Sequence, residues 1–307
     1  MYLPRRPCTS TFLSVRELNT HLRSWGEARP GQRPLVLLHG WMDVGASYQF
    51  VVDAFSDAFV AGRQILAPDW RGFGLSHPPR PCDHYVFADY LADLDQLLDH
   101  LSPDQPVDLV GHSMGGNVAM MYAGVRPQRV HRLVNLEGFG LPATRPEQAP
   151  ARYARWMDEI KQLQQGAMAL KAYDSVEGVA QRLVKTNPRL APDKALWLAR
   201  HWAQPDAQGQ WKILGDAAHK VTSAQLFRAD ELRALYAAIT APTLAVVASD
   251  DSLGQWWKGQ YTLEDFQERL AQVRDVRTAQ VPETGHMLHH DQPEAVAGLI
   301  EAFISAA

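Results

Sequence analysis

Between residues 34 and 137, short apolar runs alternate with stretches of helical spacing, and this alternation most restricts what the chain can become. Pro34-Leu35-Val36-Leu37-Leu38 is unbroken apolar sequence, closed by His39-Gly40. A strand that is apolar at every position has both faces covered, as inside a parallel sheet. Gln64-Ile65-Leu66-Ala67-Pro68, Val107-Asp108-Leu109-Val110 and Leu133-Val134-Asn135-Leu136 read as further short strands. Helices are expected between them, around 47–60, over 85–101 and over 114–125. In the second of these, Phe87, Tyr90, Leu91, Leu94, Leu97, Leu98 and Leu101 fall on one helical face. Strands alternating with helices predict an α/β fold, a mostly parallel central sheet with helices on both faces.

Residues 11–25 predict two short strands or a hairpin, followed by a turn at Arg29-Pro30-Gly31. After residue 140 the alternation stops. The next hundred residues are expected to be mostly helical, for example at 151–165 and 192–202, and are punctuated by Pro142, Pro146, Pro150, Pro188 and Pro205. The strand pattern resumes at Thr243-Leu244-Ala245-Val246-Val247. A helix is expected over 263–273, a strand over 276–281 and a last helix over 293–304, with Pro293 in its first turn. The expected organisation is a core domain of residues 1–139 and 240–307, carrying a helical cap domain of residues 140–239.

The strongest chemical signal is Gly111-His112-Ser113-Met114-Gly115-Gly116, between an expected strand and an expected helix. G-x-S-x-G in that setting is a nucleophile elbow. A sharp strand-to-helix turn lifts the serine hydroxyl above the sheet, and flanking side chains would collide with neighbouring backbone, so glycines stand there. The helix that follows turns its N–H groups and its dipole toward the same point, where a developing oxyanion would sit.

On these residues the chain resembles the α/β-hydrolase family over nearly its whole length. His39-Gly40-Trp41 looks like the family's H-G-x loop, and Asp69-Trp70-Arg71-Gly72-Phe73-Gly74-Leu75-Ser76 looks like its D-x-R-G-x-G-x-S turn. The His-Gly-Trp-Met-Asp opening and Asn-Leu-Glu-Gly-Phe-Gly at 135–140 look similar to the serine-hydrolase-like branch. The resemblance implies Ser113 as nucleophile, with backbone N–H groups of Trp41 and Met114 as the oxyanion hole. It implies His286, in Glu283-Thr284-Gly285-His286 after the last strand, as the base, in the chain order Ser, acid, His. For the acid it points first to Asp251, which ends Ala248-Ser249-Asp250-Asp251 where the family usually has G-x-x-D. Asp250 and Glu137 remain possible alternative acids, Glu137 because some members carry the acid after the preceding strand. Arg71, Asp69 and Ser76 are expected to be structural.

The expected activity is hydrolysis of an ester-like bond (carboxylester, lactone or thioester) through an acyl-enzyme on Ser113. A carbon–carbon bond hydrolase of the meta-cleavage-product type is an alternative on the same scaffold, and a catalytically weak ligand-binding protein is another. The aromatic residues Tyr153, Trp156, Trp197, Trp202, Trp211, Phe227, Trp256 and Trp257 could line an apolar pocket or simply pack, so the expected partner is a small molecule with an apolar part.

Other classes are disfavoured. A formal net charge of −4 offers no basic surplus for a phosphate backbone. No apolar run is long enough to span a bilayer, and Arg5-Arg6 is not followed by the apolar segment of an export signal, so the expected compartment is the cytoplasm. Two cysteines, Cys8 and Cys82, form neither a disulfide framework nor metal-ligand spacing. No cofactor is implied: Gly72-Phe73-Gly74 lacks the third glycine of a dinucleotide fingerprint. No metal is expected at His286, His289 and His290, which have no carboxylate or cysteine at recognised ligand spacing.

Overall fold

A computed structural model describes residues 2–29 and 31–306. Pro30 of the expected turn lies outside the described residues. Eleven strands are named in chain order: β1 (Thr9–Val15), β2 (Leu18–Trp25), β3 (Leu35–Leu38), β4 (Ile65–Pro68), β5 (Val107–His112), β6 (Val130–Leu136), β7 (Ala172–Tyr173), β8 (Ala203–Pro205), β9 (Trp211–Ile213), β10 (Thr243–Ala248) and β11 (Val276–Val281). Eight of them make one sheet in the order β1-β2-β4-β3-β5-β6-β10-β11. The hairpin β1–β2 is antiparallel and joins β4 antiparallel, and all other neighbours are parallel.

The apolar run of β3 shows why the sheet is covered on both sides. Val36 and Leu38 pack on one face with Leu94 and Leu98 of the helix Phe87–Leu101 and Val118 and Tyr122 of the helix Met114–Val125. Leu35 and Leu37 pack on the other face, with Val51 and Val52 of the helix Gln49–Ala54 and Val296, Ile300 and Phe303 of the helix Pro293–Ser305. All four β3 side chains are fully buried, each contributing roughly 1.5–3 kcal/mol.

Strand order reverses at β3, since β4 lies to one side of it and β5 to the other. In open parallel sheets the crevice outside the carboxyl ends of strands at such a reversal is where ligands bind. Leu38 pairs with Gly111, His112 with Leu136, and Val246 with Leu136. The residues that follow β3, β5 and β6 therefore emerge side by side along one edge of the sheet.

Between β6 and β10 the chain is largely helical, with helices at Ala149–Gln164, Val176–Thr186, Pro192–Trp202 and Ala229–Ala237. It also contains a small antiparallel sheet in the order β7-β9-β8. The sequence gives little sign of these strands, because two- and three-residue strands show no period. Leu183, Leu190, Leu198 and Ala199 of this stretch pack on Val44, Ala46 and Phe50 after β3, which seats it over the carboxyl edge. Among the described residues, no helix is long and apolar enough to cross a membrane. Both cysteines are free thiols.

Candidate active site

Ser113 sits at the end of β5, at φ 52° and ψ −115°, immediately before the helix Met114–Val125. A non-glycine residue at positive φ costs on the order of 1–3 kcal/mol, and such strain gathers at functional sites. The Ser113 N–H donates to the Leu136 carbonyl at 2.8 Å, while the hydroxyl is not used as a helix cap. The close approach of helix to sheet explains the glycines. A Cβ on Gly111 would lie 2.3 Å from the Gly115 carbonyl oxygen, and one on Gly115 would lie 2.2 Å from the Leu38 carbonyl oxygen. Both blocking atoms are backbone and cannot rotate away. Gly115→Ala is expected to lower stability by about 3 kcal/mol, at the upper end of overpacking costs, read as a lower urea midpoint at unchanged slope. Wild-type stability in that variant would show that the helix can lift off the sheet without penalty.

His39-Gly40-Trp41 and the turn from Asp69 to Ser76 clamp each other. The Trp70 N–H donates to His39 Nε2 at 2.9 Å, and the Trp70 indole N–H donates to the His39 carbonyl at 2.9 Å. Buried Asp69 accepts from the N–H groups of Gly45 (2.7 Å) and Leu75 (3.0 Å) and pairs with His21 Nδ1 (2.7 Å). Arg71 is held bidentate by Asp93 at 2.6 and 2.8 Å. The turn from Asp69 to Ser76 holds the loop after β3 and does not line the cavity beside Ser113, whereas Gly40 and Trp41 do.

His286 stands in the loop after β11. Its Nδ1 lies 3.2 Å from Glu137 Oε2, and its ring lies edge-on to Trp256 with centroids 4.3 Å apart. Its carbonyl accepts from His112 Nε2 at 2.7 Å. His112 is thereby turned to the loop rather than to the hydroxyl of its neighbour, as a residue before the elbow serine should be.

The structure does not bring Asp251 to His286. Asp251 is exposed, and its Oδ1 accepts from the Gly254 N–H at 2.8 Å as the N-cap of the short helix Ser252–Trp257. A helix that begins directly after the strand presents free N–H groups, and the aspartate ahead of them satisfies one instead of reaching the histidine. Asp250 is also engaged elsewhere, with Arg189 at 2.7 and 3.2 Å. The carboxylate that meets His286 is Glu137. It follows β6 at φ 56°, its N–H donates to the Val246 carbonyl, and its Oε1 accepts from the Ala248 N–H at 2.7 Å. Asn135 fastens this turn by bonding both the N–H and the carbonyl of Gly138, at 2.9 and 2.8 Å.

Glu137 is buried and His286 part-buried. Burial pushes the Glu137 carboxyl up to about 7, against the opposing pull of the Ala248 N–H and the Ser252 hydroxyl. Burial pushes the His286 imidazole down to about 3. Near neutral pH the histidine is uncharged, and with Nδ1 carrying the proton it donates to an ionised Glu137, leaving Nε2 as a free base.

A cavity of about 400 Å³ opens at Ser113 and His286. Leu183, Leu190 and Leu198 and the aromatic Trp41, Trp202 and Trp256 line much of it, with Arg182 and Arg189 among the polar residues. Of the aromatics noted in the sequence, Trp202 and Trp256 reach the cavity, whereas Trp197 packs against Tyr2 and Phe50. Asp43, Arg189 and Ser252 also line it. Arg189 and Ser252 stand in no motif, so only their folded positions reveal them, whereas Asp43 closes the His-Gly-Trp-Met-Asp opening.

Known proteins share this architecture. A serine hydrolase-like protein of Danio rerio is 27% identical over 294 residues, covering 91% of this chain and 86% of its own. A cis-3-alkyl-4-alkyloxetan-2-one decarboxylase of Shewanella oneidensis is 34% identical over 143 residues, 46% of this chain and 42% of that protein. The thioesterase domain from the curacin biosynthetic pathway superposes with a TM-score of 0.78 at 26% identity, covering 96% of this chain and 99% of that domain. The sequence profile of the alpha/beta hydrolase fold matches residues 33–293. With that match running from β3 almost to the last helix, and taking in both Ser113 and His286, the chain belongs to the α/β-hydrolase fold family.

Proposed function

We propose that this chain is a serine hydrolase that cleaves an ester-like bond, carboxylester, lactone or thioester, through an acyl-enzyme on Ser113. The observation that carries the reading is the contact of Glu137 with His286, which lines the same cavity as Ser113. Ser113 Oγ attacks the carbonyl carbon as His286 Nε2 takes its proton. Glu137 holds the imidazole in the productive tautomer and stabilises the imidazolium that forms. The oxyanion is received by the N–H groups of Met114 and Trp41. Met114 is the first residue of its helix, so its N–H has no acceptor within the helix. His286 then returns the proton to the leaving group, and a water that it deprotonates releases the acid.

Residues 140–239 act in this reading as a cap over the carboxyl edge, contributing Leu183, Leu190, Leu198 and Trp202 to the acyl side of the cavity. The name of the thioesterase domain supports ester-type acyl chemistry on this scaffold. A cavity of about 400 Å³ accommodates a short to medium acyl group. The p-nitrophenyl ester series from acetate to octanoate tests this: kcat/KM should peak below octanoate. A flat profile, or no acyl adduct on Ser113 by intact mass, would overturn the reading.

The same geometry sets the pH dependence. With the Glu137 carboxyl at about 7 and the His286 imidazole at about 3, the histidine stays neutral above pH 5. The group that titrates is Glu137, and its useful form is the anion. Activity is therefore about half-maximal near pH 7, nearly full one unit above it, and falls toward about tenfold per unit well below it. A rate profile measured from pH 5 to 9 checks this, and an acid limb near 4 would mean that Glu137 stays ionised throughout.

A further inference from the structure

We infer that Asp43, His112 and His289 form a binding site for one divalent transition-metal ion of the zinc class. All three are buried, with exposures of 3%, 1% and 0%. One ligand atom from each lies within 4.8 Å of the others, with Asp43 Oδ2 and His289 Nε2 separated by 3.9 Å. The His112 and His289 rings are 4.3 Å apart between centroids.

The polar accounting at this point does not close within the protein. Among the described residues, Asp43 Oδ2, His112 Nδ1 and both ring nitrogens of His289 are buried without a hydrogen-bond partner. Leaving such groups unpaired costs about 1–3 kcal/mol each, so something polar belongs among them.

The atoms that are partnered are those that prepare ligands. His112 Nε2 donates to the His286 carbonyl at 2.7 Å, which leaves the Nδ1 lone pair unprotonated. Asp43 Oδ1 accepts from the Trp202 indole N–H at 3.0 Å and from the Ser47 hydroxyl, which orients Oδ2 into the cluster. Metal-bound histidines and carboxylates are oriented by outer hydrogen bonds of this kind.

Two imidazoles and one carboxylate suit Zn²⁺, which takes nitrogen at about 2.0–2.1 Å and commonly accepts three protein ligands and a fourth exchangeable one. Asp43 and His112 line the cavity, which provides the way in. The separation in sequence explains why ligand spacing gave no sign of the site: the carboxylate follows β3, one imidazole ends β5, and the other lies beyond β11. An ion there would clip these three loops together behind Ser113.

The test uses the full chain, stripped with a chelator and titrated with Zn²⁺ by calorimetry, with Co²⁺ absorption as a second readout. The wild type should take up one ion per chain and gain thermal stability on loading, as any ligand confined to the native state produces. Asp43→Asn and His289→Gln should each weaken uptake at least about 100-fold, the upper range for loss of an outer-shell partner alone. His84→Ala, at an exposed histidine, should leave uptake unchanged. Circular dichroism of the two cluster variants verifies folding, and the wild-type titration decides even where one of them fails to fold. No uptake by the wild type at millimolar Zn²⁺, or equal uptake by folded Asp43→Asn and His289→Gln chains, would overturn the site.

Discussion

Ser113→Ala is expected to reduce ester turnover by on the order of 10⁴-fold or more and to abolish covalent labelling by a fluorophosphonate. The size follows from what is removed. Without Oγ there is no acyl-enzyme, and His286 has nothing to activate except water. A loss of 10⁴ corresponds to roughly 5.5 kcal/mol of transition-state stabilisation. Some acceleration should survive, because the N–H groups of Met114 and Trp41 would still meet a developing oxyanion. The alanine is not expected to destabilise the fold, since the Ser113 hydroxyl caps no helix. A variant that folds, binds substrate and turns over at the wild-type rate would eliminate Ser113 as the nucleophile.

The second large effect separates the carboxylates. Glu137→Gln should lower kcat by about 10³–10⁴-fold, because an amide in place of the carboxylate no longer fixes the imidazole tautomer or balances the imidazolium. Asp251→Asn should change kcat by less than about threefold. Asparagine caps a helix about as well as aspartate, so that variant should be nearly silent in stability too, while Asp251→Ala should cost about 1 kcal/mol through the lost cap alone. The measurement is steady-state kinetics on the three variants with one ester, accompanied by urea denaturation. If Asp251→Asn were the inactive one and Glu137→Gln the active one, the 3.2 Å contact between Glu137 and His286 would be an incidental feature of the resting chain.

These experiments also show where the sequence is informative. The strands β3, β4 and β10 are legible because their side chains are buried on both faces, and that demand writes a nearly continuous apolar run at each. The elbow is legible because close backbone approach at Gly111 and Gly115 tolerates no Cβ. The short strands of the β7-β9-β8 sheet are not legible, since they lack the length to express any period. Residues of the cavity wall such as Trp202 and Arg189 carry no local mark, because what selects them is a neighbour far along the chain.

What the sequence alone determined is therefore the local part of the design: the alternation that demands a parallel sheet, the strand–glycine–serine–glycine–helix turn, and a histidine in the loop after the last strand. The choice among Glu137, Asp250 and Asp251 was left to the tertiary structure. All three follow neighbouring strands at the same edge, and their sequence contexts do not rank them by distance to His286. Packing does. The helix after Asp251 claims its carboxylate, Arg189 claims Asp250, and the β6 turn delivers Glu137 to the imidazole. The gathering of Asp43, His112 and His289 was decided in the same way. Local patterns follow from constraints within a few residues, whereas a side chain's partner is settled only when segments far apart in the chain are brought against one another.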